Sequence, residues 1–123
     1  MELPLARQMD MVFRQIGHEL MQLTSGTIFV QIRNDSIGKF GIKHLPLESK
    51  DGQLKPQGEG LSESQVNSLR NMAIEALKHK RWTHGEIMFD FTVRQNLLCT
   101  SVQFESNYNM SALLYQRDQR MAQ

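Results

Sequence analysis

Thr24-Ser25-Gly26-Thr27-Ile28-Phe29-Val30-Gln31-Ile32 decides the fold, because the chain says it twice. Thr83-His84-Gly85-Glu86-Ile87-Met88-Phe89-Asp90-Phe91 repeats the pattern 59 positions on, from 24 to 83. Further along, Leu45-x-Leu47-Glu48-Ser49 returns as Val102-x-Phe104-Glu105-Ser106, from 45 to 102. Each copy alternates apolar with polar residues, the mark of a half-buried strand. In the first, Ile28, Val30 and Ile32 stand against Thr27, Gln31 and Arg33. In the second, Ile87, Phe89, Phe91 and Val93 stand against Glu86, Asp90, Thr92 and Arg94.

Each strand is preceded by helical spacing and followed by a returning strand. Upstream of the first, Leu5, Met9, Val12, Phe13, Ile16, Leu20 and Leu23 form an apolar stripe on a helix over 5–23. Pro4 suits its first turn, and Thr24-Ser25-Gly26 stops it. Asn34-Asp35-Ser36 supplies turn chemistry, and Lys39 to Leu45 returns with Phe40 and Ile42 inward. Upstream of the second copy, Ser62 and Gln65 match a capping box, and Val66, Leu69, Met72, Ala73 and Leu77 line a helix running to about Lys80. Gln95-Asn96 fits a tight turn, and Leu98, Thr100, Val102 and Phe104 alternate on the partner strand. A last helix is expected over 111–121.

The expected architecture is a single α+β domain over 1–123, in the order α-β-β-α-β-β-α. Its four-stranded antiparallel sheet is covered by helices on one face. The echo suggests an internal repeat, 5–49 and 62–106, joined by a loop at about 48–61 with three glycines and a proline. Unrelated helix-hairpin units would align in the same way, and the element order does not depend on the answer. Gly58 and Gly60 read as plain loop flexibility ahead of the Ser62 cap.

Composition excludes several classes. At 123 residues and 40% hydrophobic, the chain can build a core without metal or disulfides. Its 14 basic and 13 acidic side chains nearly cancel, which argues against a dedicated nucleic-acid binder and against a polybasic membrane-surface protein. One cysteine, Cys99, points to a reducing compartment. With no signal segment in view and no apolar run of membrane length, a cytoplasmic protein is the expectation.

No catalytic set converges. Cys99 lacks a cationic neighbour to make a thiolate. His18, His44, His79 and His84 lack zinc-site spacing, so neither metal nor cofactor is expected. The glycines are too sparse for a phosphate-binding loop. Lys78-His79-Lys80-Arg81-Trp82 is the most conspicuous charge run. It can be a phosphate-holding patch with a stacking aromatic; cations completing a helix C-terminus are the favoured reading. Glu86, Asp90 and Glu105 fall on the outward face of their strands.

That outward face is less polar than expected. Phe29 and Met88 occupy corresponding outward positions, and Leu97 shares their phase. Eight methionines add adaptable surface. Phe29, Met88, Leu97 and Met110 are therefore the interface candidates, with Met9 and Met72 assigned to the core. The leading expectation is a small protein-interaction or regulatory protein of the adaptor kind, without catalytic activity, binding a protein partner or itself as a homodimer. The alternative is an anionic-ligand domain or enzyme with a pocket between sheet and helices, using Arg33, Arg94, Trp82 and Tyr108. Nucleic-acid binding through 78–82 ranks third.

Overall fold

A computed structural model describes residues 3–45, 49–54, 60–79 and 84–121. It is an α+β fold with a four-stranded antiparallel sheet and three α-helices. Helix α1 spans Leu5–Leu20 and buries Met9, Val12, Phe13, Ile16 and Leu20, the stripe read from the sequence. Strands β1 (Ser25–Arg33) and β2 (Ser36–Lys43) form the first hairpin. Asn34 and Asp35 both take positive φ, 53° and 59°. That conformation matches the twist of the strands they join.

The stretch expected to be one long loop contains a small hairpin of its own. Strands β3 (Ser49–Lys50) and β4 (Gln53–Leu54) pair across Asp51-Gly52, both at positive φ. With two residues per strand, no alternation was available to betray it.

Helix α2 spans Glu63–Ala76, and both arms of the capping box form. The Gln65 N–H donates to Ser62 Oγ at 3.1 Å, and the Ser62 N–H donates to Gln65 Oε1 at 2.9 Å. A 3-10 turn, Leu77–His79, follows. Strands β5 (His84–Arg94) and β6 (Leu97–Ser106) make the second long hairpin, again over two residues at positive φ, Gln95 and Asn96. Helix α3 spans Met110–Met121, and the Asn109 side chain accepts from the Ser111 N–H.

The strand order is β2-β1-β5-β6. The two long hairpins meet through β1 and β5 with no slip, from Ser25 opposite Thr92 to Arg33 opposite His84. Phe29 stands directly opposite Met88 in that register. One buried cluster joins Met9, Val12, Phe13 and Ile16 of α1, Leu69 and Ala73 of α2, Ile28 and Val30 of β1, and Ile87, Phe89 and Phe91 of β5. Met72 packs against that cluster.

Two polar clamps tie the helices in place. The Gln8 side chain donates to the Leu3 carbonyl at 2.8 Å and accepts from the Ile37 N–H of β2 at 2.7 Å. Asp10 of α1 accepts from Arg70 of α2 and pairs with Arg14, each at 3.0 Å. Gly60 is no flexible link. A Cβ there would lie 2.1 Å from the Met21 carbonyl oxygen, so the chain passes too close to the end of α1 for any side chain. That approach lets the Leu61 N–H reach the Leu20 and Leu23 carbonyls.

Candidate functional site

Alternation aims the odd-numbered side chains of β1 away from the cluster that holds Ile28, Val30 and Ile32. At the centre of this outward face, Phe29 and Met88 are half-buried rather than bare. The reason is local. Gly41 of β2 leaves room for the Phe29 ring, since a Cβ there would sit 2.9 Å from it. Lys39 and Lys43 hold their ammonium groups 6.0 and 5.7 Å from the ring centroid, within cation–π range. Beside them the Thr27 hydroxyl donates to Asp90 at 2.5 Å. Of the interface candidates, Leu97 (68% exposed) and Met110 (65%) are open to solvent.

A cleft of about 640 Å³ lies at one end of this face. Arg33 and His84 stand opposite each other on β1 and β5, and Lys39 joins them from β2. Glu86 and Tyr108 also line it. Three basic side chains and one carboxylate thus line the same cleft. Sequence reasoning named Arg33 and Tyr108 but missed Lys39 and His84. Only the β1–β5 register, which no local pattern encodes, brings His84 to Arg33.

Arg94 does not join them. Antiparallel pairing places it at the opposite end of β5, ten residues and roughly 33 Å from the level of Arg33. It lines a separate, smaller pocket with Asp90, Thr92 and Cys99. The cleft opens on the face turned away from the buried cluster, so it is not the pocket between sheet and helices that the sequence suggested. Lys80, Arg81 and Trp82 lie outside the described residues. Of the same charge run, Lys78 pairs with Glu75 at 3.2 Å, and His79 rests its ring against Phe104 with centroids 6.5 Å apart.

The C-terminal segment is the most exposed apolar stretch described. Tyr108 is 94% exposed, and Met110, Leu113, Leu114 and Tyr115 lie between 43 and 65%. Every described side chain from 107 to 117 is exposed. Among the described residues no group of three or more His, Cys, Asp or Glu side chains is placed to hold a metal ion, and no helix is long and apolar enough to cross a membrane. Comparison with protein-family models, with curated proteins and with solved structures finds no match.

Proposed function

We propose that this chain is a small protein-interaction or regulatory protein without catalytic activity, and that α3 is its contact element. The observation that carries this reading is the exposure of Met110, Leu113, Leu114 and Tyr115 on one short helix. A helix of 12 residues has little stability of its own in water, and most helices owe their order to an apolar face packed on something. Here that face is left to a partner, as in recognition modes where a helix enters a groove. The test compares tagged wild type with a Leu113→Asp/Leu114→Asp variant in capture from the native cell, with nuclease present. A stoichiometric protein held by wild type and lost by the variant supports the reading. Equal recovery from both refutes it.

The cleft favours a second reading, an anionic small ligand held by Arg33, Lys39 and His84. Under that reading inorganic phosphate raises the melting temperature, and Arg33→Ala removes the rise while Arg94→Ala does not.

The same proposal takes the chain as one domain of two helix-hairpin units, with α1 and α2 over one face of the sheet. The Phe29–Met88 pairing supports an internal repeat. These residues correspond under the sequence echo, and a pseudo-two-fold axis relating the units must pass between residues that are each other's counterparts.

A further inference from the structure

The two edges of the sheet are not alike, and the difference points to a partner. Strand β2 is a blunted edge. It carries Gly38, Lys39, Gly41 and Lys43, its pairing with β1 is irregular between Val30 and Ile32, and the Gln8 side chain takes up the Ile37 N–H. Lysines, irregularity and a covering side chain are the devices by which proteins stop a sheet edge from recruiting another strand. Strand β6 has neither the lysines nor the irregularity. Its ten residues, Leu-Leu-Cys-Thr-Ser-Val-Gln-Phe-Glu-Ser, contain no proline, glycine, lysine or arginine, and its register with β5 is unbroken. Among the described residues no strand lies on its far side.

The direction of its backbone groups follows from one bond. The Asn107 N–H donates to the His84 carbonyl at 3.2 Å, continuing the register in which Gly85 opposes Ser106. Hydrogen-bonded pairs alternate with non-bonded pairs along an antiparallel ladder. Odd-numbered residues of β6 therefore bond to β5, and Leu98, Thr100 and Val102 aim their N–H and C=O groups outward.

We infer that this edge pairs with β6 of a second copy of the chain, antiparallel about a two-fold axis at Ser101, giving a continuous eight-stranded sheet. This deepens the interaction reading above and rests on it. A second copy is the occupant because the strand is complementary to itself about that point. Thr100 opposes the partner's Val102. Glu105, the one charged residue of β6, opposes the partner's Leu97 rather than another carboxylate. A like-charge pair is thereby avoided. The arrangement also accounts for α3. The C-terminal end of each β6 lies beside the start of its counterpart, so α3 emerges next to the partner's Leu97 and can cover it. An isologous two-fold contact of this kind is the commonest closed assembly.

The test is sedimentation of the full chain over a range of concentrations, together with a cysteine placed on the axis. In a Cys99→Ser background, Ser101→Cys sets two thiols on a non-hydrogen-bonded pair, with Cα atoms about 4.5 Å apart and within disulfide reach. It forms a disulfide dimer on mild oxidation. Gln103→Cys in the same background stands roughly 13 Å from its mate and does not. Thr100→Pro removes an outward N–H that β5 does not use. By symmetry two bonds are lost, and the dissociation constant weakens roughly 30-fold. If that variant folds poorly, Ser101→Lys sets two ammonium groups face to face, and its dimer recovers with added salt. A monomer at every concentration overturns the inference. So does a dimer that Ser101→Cys fails to cross-link and that both Thr100→Pro and Ser101→Lys leave intact. A monomer that still captures a protein through Leu113 and Leu114 overturns this inference alone and leaves the interaction reading standing.

Discussion

Replacing Gly60 by alanine adds a single methyl group, and the fold has no place for it. The new Cβ would stand 2.1 Å from the Met21 carbonyl oxygen and 2.5 Å from the Leu23 nitrogen. Both are backbone atoms at the end of α1, so no rotamer change relieves the contact. Reaching ordinary contact distance requires a retreat of more than 1 Å. The Leu61 N–H, already 3.3 and 3.2 Å from the Leu20 and Leu23 carbonyls, then loses both acceptors. A lost bond that leaves a buried donor unsatisfied costs about 1–3 kcal/mol. The Leu61 side chain, 2% exposed, moves with its backbone and forfeits part of the roughly 1.5–3 kcal/mol that burial of a leucine is worth. Together these give about 3–4 kcal/mol, a large share of the stability of a typical domain. Urea unfolding followed by circular dichroism reads it as a midpoint lower by about 2 M. The control is Gly38→Ala. Its Cβ would find nothing closer than the Gln31 carbonyl at 4.0 Å, so the change stays within about 0.5 kcal/mol. If Gly60→Ala unfolds within that same margin of wild type, the close approach is not a feature of the folded chain.

The two turns give a second prediction. Asn34 and Gln95 hold the same turn position at φ 53° and 50°, but only asparagine tolerates that region readily. Gln95→Asn is expected to raise stability by about 0.5–1 kcal/mol, seen as a melting temperature higher by roughly 2–4 °C. A third concerns the helix clamp. Asp10→Ala leaves Arg70, whose side chain is 35% exposed, without its carboxylate, and is expected to cost about 1–2 kcal/mol by urea unfolding. Arg14→Ala, at a side chain 77% exposed, is expected to cost under about 0.5 kcal/mol.

The elements that were legible in the sequence are those with a strong period. The α1 stripe, the alternation of β1 and β5, and the Ser62–Gln65 cap all act through neighbours a few residues away, so the sequence records them directly. What escaped it depends on distant chain. Gly60 looks like loop filler until the end of α1 is set beside it. His84 looks like a turn residue until β5 lies antiparallel to β1 and brings it to Arg33. The same pairing carries Arg94 away from the group it was expected to join. The last residues of two antiparallel strands lie at opposite ends of the pair, and Arg33 and Arg94 are parted for that reason.

The state of Phe29 also bears on where a partner would bind. Its ring already rests over Gly41 with two lysine side chains about it, so docking there would bury little new apolar surface and would first displace those lysines. The free energy of association scales with what is newly removed from water and newly bonded. Strand β6 offers unused backbone directions, and α3 offers side chains that are still open. Phe29→Asp would disturb packing within the chain as well as any contact outside it, and a loss of binding in that variant would have two causes. Substitutions at Ser101 or at Leu113 and Leu114, all exposed, change the surface while leaving the buried cluster alone, which makes them the sites where loss of association carries a single meaning.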